Sequence, residues 1–265
     1  MHSPRIAVIM FPGTNCEEES AHAVESVGMQ VSILRWNTKE SLDNYDGFIL
    51  PGGFSYEDRI RAGIIAAQEP IMKNIKSQSN KGKPIIGICN GAQILVEAGI
   101  IPGLKNRVEI ALAPNENPFI SGYYCTWVHI KSVGNCAFNK LFESEEVIPI
   151  PIAHAEGRFV TKDSSLLNQL KKNKQISFQY CDEQGNIIER FPINPNETTL
   201  NIAGISNKEG NVLAIMPHPE RASFKRQIPN IRLQDFEDAE SNAPAVKIFD
   251  SMKKYILANF SHRKI

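Results

Sequence analysis

The apolar positions of this chain fall into two textures. Residues 5–10 (RIAVIM), 31–34 (VSIL), 47–50 (GFIL) and 84–88 (PIIGI) are short, nearly continuous apolar runs, the pattern of strands buried on both faces of a parallel sheet. Helical stretches separate them. Glu17, Glu18 and Glu19 sit where a first turn favours carboxylates, Gly28 stands where that helix would stop, and Thr14 or Asn15 is placed to cap it. A second helix is expected over about 62–76. Beyond it Ile94, Leu95 and Ala98 recur at helical spacing from Ala92 up to Gly99. Strands alternating with helices in this way make a parallel sheet with right-handed crossovers, and ligands bind such sheets beyond the carboxyl ends of the strands.

After Gly103 the pattern shifts. Residues 108–113, 123–131, 147–153 and 176–180 read as strands, with only 164–172 strongly helical between them. Turn clusters at 184–186 (QGN) and 208–211 (KEGN) suggest hairpins. This middle region is therefore expected to be mixed or antiparallel, packed against the sheet or extending it. Residues 212–216 form one more apolar strand, 221–244 are polar and irregular with an acidic patch at 235–240, and Val246, Phe249, Met252 and Ile256 mark a closing amphipathic helix over 245–260. The whole of 1–265 is expected to form one domain, long enough to bury a full core.

Composition narrows the function. Lys plus Arg equals Asp plus Glu at 29 each, so there is no basic footprint for nucleic acid. No apolar run is long enough to span a bilayer, and residues 1–5 lead into the first strand without a signal-peptide core. Five scattered cysteines with no C-x-x-C pair argue for a reducing cytoplasm and against a disulfide framework or a zinc site. Neither G-x-x-x-x-G-K nor G-x-G-x-x-G occurs, leaving a nucleotide site in this chain unsupported.

The chemistry concentrates at Gly87-Ile88-Cys89-Asn90-Gly91. This is a G-x-nucleophile-x-G elbow with Cys in place of Ser, set between an apolar strand and a helix. Tight turning demands Gly on both flanks, and the helix amino end favours an anionic sulfur. A buried core cysteine is the plainer reading of a Cys on an apolar strand; the paired glycines favour a nucleophile. Such a cysteine needs a histidine and a group to orient it. Only His154 and His218 follow an apolar run and carry a carboxylate two residues on, Glu156 and Glu220. In an extended chain such a pair points the same way. His218, between Pro217 and Pro219, has the more rigid mount and is preferred. The Asn90 N–H and an N–H of Pro51-Gly52-Gly53 could form an oxyanion hole.

These residues resemble a known family. Gly87-Ile88-Cys89-Asn90-Gly91-Ala92-Gln93, Pro51-Gly52-Gly53 and Pro217-His218-Pro219-Glu220 look like the three signatures of triad-type (class I) glutamine amidotransferases. The turn 11–17 (FPGTNCE), 51–56 (PGGFSY), 151–159 (PIAHAEGRF) and 216–222 (MPHPERA) narrow the resemblance to members serving purine biosynthesis. The resemblance implies a flavodoxin-like α/β sheet and a glutaminase acting through a thioester on Cys89. His218 would be base and then acid, Glu220 its orienting carboxylate, Gly53 and Asn90 the oxyanion hole, and Gln93 a glutamine contact. It implies no cofactor in this chain. ATP and Mg would belong to a large synthetase subunit that takes the ammonia and aminates formylglycinamide ribonucleotide, with a small accessory subunit completing the complex. The sequence departs from the family at Glu57, where Gly is expected, at 115–127, which matches loosely, and beyond Ala222. An amidotransferase of another pathway, a papain-like protease or a catalytically silent regulatory subunit with a redox-sensitive Cys89 share parts of the pattern.

Overall fold

In the computed structural model, which describes residues 3–105, 107–229 and 239–260, the apolar runs become β1 (Arg5–Met10), β2 (Gln30–Arg35), β3 (Gly47–Leu50) and β4 (Ile85–Ile88). They pair in parallel in the order β2-β1-β3-β4. β3 and β4 are buried at every position, as their unbroken apolar runs require. The connecting helices are α1 (Glu17–Ser26), α2 (Ile64–Ala67), α3 (Pro70–Asn80) and α4 (Asn90–Glu97). Two expectations change here. The single helix over 62–76 is two, because Pro70 forces Glu69 into an extended conformation (ψ 143°) and opens a new helix. Neither Thr14 nor Asn15 caps α1: Cys16 takes that position without a side-chain cap bond. The Thr14 hydroxyl instead accepts from the Phe11 N–H (3.0 Å) and closes the preceding turn.

The second half extends the same sheet. It supplies β5 (Ala111–Ala113), β6 (Tyr124–Ser132), β7 (Val147–His154), β8 (Arg158–Val160), helix α5 (Ser164–Lys172), β9 (Ile176–Cys181), β10 (Ile202–Ser206), β11 (Val212–Ile215) and the closing helix α6 (Lys247–Phe260). The nine-stranded order is β2-β1-β3-β4-β11-β10-β9-β6-β7. β11 joins β4 in parallel, and from β10 outward the pairs are antiparallel. The turn at 208–211 does close a hairpin, β10–β11. The turn at 184–186 does not: Asp182 ties it through Asn186 N–H (2.8 Å), but the chain wanders from 182 to 201 before β10 returns beside β9. Only Ala111–Ala113 of 108–113 is strand, and it pairs with β8 in a separate two-stranded sheet.

The irregular stretch 221–244 holds short 3₁₀ turns at its ends, with an Arg226–Glu240 ion pair (2.8 Å) across it. Residues 235–238 of the acidic patch, and residues 1–2 ahead of the first strand, lie outside the described residues. Among the described residues no helix is long and apolar enough to cross a membrane.

Candidate active site

The carboxyl end of β4 turns into α4 at Cys89, whose backbone is held at φ 51°, ψ −106°. A non-glycine residue reaches this region only where its surroundings over-determine it. The surroundings do so here. The Cys89 N–H donates to Ile215 O of β11 (2.8 Å). A Cβ at Gly91 would lie 1.8 Å from Leu50 O, and one at Gly87 2.4 Å from Gly91 O. Both flanking glycines are thus demanded by backbone packed on backbone. The sulfur sits 3.5 Å from Ala153 O at the end of β7.

His218 and Glu220 follow β11 and are both buried. Their meeting does not come from an extended chain, as expected from the sequence. Pro219 opens a 3₁₀ turn, Pro219–Arg221, which curls Glu220 back beneath the ring. His218 Nδ1 lies 2.6 Å from Glu220 Oε1. A carboxylate can only accept, so Nδ1 carries the proton and Nε2 is the free lone pair of the neutral ring. Nε2 makes no hydrogen bond of standard geometry. Burial opposes the imidazolium, but the Glu220 carboxylate and the sulfurs of Cys89 and Cys16 outweigh it and hold His218 well above its ordinary pKa. Cys16 is a second thiol close to the ring, in reach of Arg221 Nη2 (3.1 Å), with its own thiol pushed up by burial. Donor atoms of Cys16, His218 and Glu220 fall within 4.8 Å of one another, although the sequence shows no metal-binding spacing; two of those donors are already bonded to each other.

The Pro51-Gly52-Gly53 loop crosses the β1–α1 turn at an antiparallel bridge between Thr14 and Gly53. The flanking bonds, Asn15 N–H to Gly52 O (3.1 Å) and Phe54 N–H to Gly13 O (2.8 Å), make Thr14 and Gly53 a non-hydrogen-bonded pair, so the Gly53 N–H faces away from that strand. A Cβ at Gly53 would sit 2.6 Å from Gly13 O, and one at Gly52 2.9 Å from the His218 ring. The Asn90 N–H opens α4, and its side chain braces the loop beyond Gly53: Oδ1 accepts from Ser55 N (3.0 Å) while Nδ2 donates to Asp58 Oδ1 (3.1 Å) and Gln93 Oε1 (2.9 Å). Gln93 passes the brace on, donating to Glu156 O (2.7 Å). Its amide is thus a strut between α4 and the loop after β7. Glu57 does adopt the left-handed conformation (φ 60°) that a glycine would hold freely, as do Tyr56 (φ 54°) and Asp58 (φ 51°).

His154 is buried at the end of β7, with its ring over Gly157, where any Cβ would meet it at 2.2 Å. Asn115 organises this corner. Its Nδ2 donates to His154 O (2.7 Å), leaving Oδ1 to accept from His154 Nδ1 (3.1 Å) and Gly157 N (3.1 Å). Burial, reinforced by the charge of His218, lowers His154 to a pKa of about 3, so it stays neutral. The structure thus separates the two histidines: one is coupled to a carboxylate, the other locked by an amide. One cleft is lined by Cys16, Gly53, Cys89, Gln93, His154 and His218, with Asp58, Tyr123, Glu156 and Arg221 completing it. The sequence pattern does not single out Asn115, Cys16, Asp58 or Arg221. Cys16 and Arg221 at least stand inside the motifs 11–17 and 216–222, whereas Asn115 only opens the loosely matching segment 115–127.

A thiol on a strand-to-helix elbow beside a buried histidine–glutamate pair suits attack on an amide, and the comparisons agree. Residues 3–256 match the model of CobB/CobQ-like glutamine amidotransferase domains, and the chain belongs to that family. Within it, the chain is 49% identical over 261 residues to the phosphoribosylformylglycinamidine synthase subunit PurQ of Methanothrix thermoacetophila, covering 95% of this chain and 98% of that one. The PurQ subunit of Pyrococcus furiosus is 47% identical over 220 residues, 83% of this chain and 89% of its own. Among solved structures, PurLQS from Thermotoga maritima matches with a TM-score of 0.75 at 33% identity, covering 96% of this chain and 100% of that one. A glutamine amidotransferase from the same organism, 14% identical with a TM-score of 0.51 over 97% of each chain, shares the fold.

Proposed function

We infer that this chain is the glutaminase subunit of phosphoribosylformylglycinamidine synthase, releasing ammonia from glutamine for a synthetase subunit in purine biosynthesis. The observation that carries the chemistry is the convergence of Cys89 with the His218–Glu220 pair in one cleft. His218 Nε2 takes the thiol proton, and the sulfur attacks the side-chain carbonyl carbon of glutamine. A C–S bond forms, and the carbonyl oxygen gains the electron pair between the N–H groups of Gly53 and Asn90. Collapse breaks the C–N bond, and the imidazolium gives its proton to the departing nitrogen, which leaves as ammonia. Water then attacks the thioester, His218 again taking the proton, and glutamate and the free thiol are restored. Glu220 keeps Nδ1 protonated throughout and stabilises the imidazolium.

The ammonia acceptor, ATP and Mg belong to the synthetase subunit, and a small accessory subunit completes the assembly. Phe54 and Tyr123 at the cleft are about half exposed with ring centroids 6.1 Å apart, an apolar rim suited to a docked partner. The test uses the chain with its synthetase subunit, ATP and formylglycinamide ribonucleotide. Cys89→Ala should abolish amination from glutamine while free ammonia still supports it. Glutamine-dependent turnover by that variant would overturn the assignment. The subunit alone should release glutamate roughly 10²–10³ more slowly than the complex if docking completes the oxyanion hole.

A further inference from the structure

We propose that the groove between residues 115–121 and 189–197 seats a segment of the ammonia-accepting subunit, one that carries an apolar anchor beside cationic side chains. The proposal rests on the glutaminase reading and adds where the partner is held. The groove measures about 710 Å³ and shares no lining residue with the catalytic cleft. Phe119 and Phe191 meet there edge to face, with ring centroids 5.4 Å apart, and Tyr124 lies 6.1 Å from Phe191. Phe119 is nonetheless 79% exposed. Its loop is braced in that position. Asn117 Oδ1 accepts from the N–H groups of Phe119 (2.9 Å) and Ile120 (2.6 Å). The Asn115 N–H donates to Ala155 O (2.7 Å), and Arg158 holds Glu116 (2.5 Å). A loop pinned in this way keeps an aromatic ring in water, and a partner that covers the ring gains the apolar surface removed from solvent.

Two observations say what covers it. The first is position. One stretch of chain walls both sites: residues 115–121 line the groove, and Tyr123 stands at the mouth of the cleft, its ring 6.1 Å from that of Phe54. Asn115 also lines the groove while its amide holds His154 and Gly157 on the cleft side. A subunit seated in the groove therefore stands beside the opening from which ammonia leaves, where the acceptor has to be. The second is charge. The groove sets Glu116, Glu189 and Glu197 against Arg190 alone. Among the described residues, only Glu116 of the three carboxylates makes an ion pair. Unpaired carboxylates beside an exposed ring fit a Lys or Arg next to an aliphatic or aromatic side chain.

The test titrates this chain against its synthetase subunit for wild type, Phe119→Ala and the double variant Glu189→Gln/Glu197→Gln. Thermal unfolding of each free chain checks that the variants fold. Phe119→Ala should raise Kd roughly 10- to 100-fold, the range for truncating an apolar anchor, mainly through faster dissociation. The double variant should associate more slowly and lose most of its dependence on salt, because it removes charge and keeps shape. Glutamate release by the free chain should be unchanged in Phe119→Ala, since Phe119 lies outside the cleft. A folded Phe119→Ala that binds the synthetase subunit like wild type would overturn the seat. Variants that weaken only an accessory subunit or a homodimer would overturn it as well. Wild type that binds the synthetase subunit but releases no glutamate in the complex would overturn the glutaminase reading, while the binding data still decide the seat.

Discussion

Replacing Glu57 by glycine should stabilise the protein, although the substitution deletes a side chain and an ion pair. Glu57 is held at φ 60° within a run of left-handed residues, and a Cβ in that region costs roughly 1–2 kcal/mol. Glycine removes this cost but makes the unfolded chain more flexible, returning about 0.4–1 kcal/mol. The Glu57–Arg59 pair weighs little in this balance, because its side chains are 75% and 71% exposed. The net is a gain of about 0.5–1 kcal/mol, or roughly 1–4 °C in Tm for a chain of this size. Chemical and thermal denaturation of wild type, Glu57→Gly and Glu57→Ala give the answer. Alanine loses the same ion pair but keeps the backbone strain, so it should be neutral or worse. If both variants shift alike, or if glycine destabilises, left-handed strain at position 57 is not what the loop stores.

Three further outcomes follow from the geometry. His218→Ala should cut turnover by ~10²–10⁴, the usual weight of a general base, whereas His154→Ala should leave thioester formation, followed by intact-protein mass, largely intact. Gly91→Ala, with a Cβ 1.8 Å from Leu50 O, should cost about 3 kcal/mol or more in denaturant unfolding, at or beyond the upper range for overpacking, because the obstacle is backbone. Asp58, raised to about 6 from 3.8, holds its proton more tightly folded than unfolded; its contribution is present below about pH 4 and lost as pH rises through 6. Asp58→Asn should therefore gain stability relative to wild type at pH 7 more than at pH 4, by a modest amount given its partial exposure.

The parallel half of the fold was legible because buried strands have no choice of face: their apolar runs are continuous and their ends are marked by Gly and Pro. What escaped was decided by pairing across distance. β8 is three residues long and β10 follows twenty residues whose one regular piece is a three-residue 3₁₀ turn, so neither shows a period of its own. The break at Pro70 was visible as a residue and outweighed by the apolar rhythm around it. The candidate site was legible where chemistry demands backbone, at Gly87, Gly91 and Gly53, and at the Pro-mounted His218. The route by which Glu220 reaches His218 was not, since either an extended chain or a tight turn satisfies that spacing. The bracing by Asn90, Gln93 and Asn115 was hidden because amide side chains look alike until their partners are in place.

The bond from Cys89 N–H to Ile215 O gives the site a history as well as a shape. The elbow and the strand before it are synthesised early, but the carbonyl that pins the elbow's strained backbone comes from β11, more than a hundred residues later. The histidine follows three residues after that carbonyl. A growing chain at the ribosome therefore carries its thiol through nearly half of the sequence with neither the pin nor the proton acceptor. Both arrive in one step, when β11 slots in beside β4, so the event that completes the centre of the sheet is also the one that assembles the reactive pair.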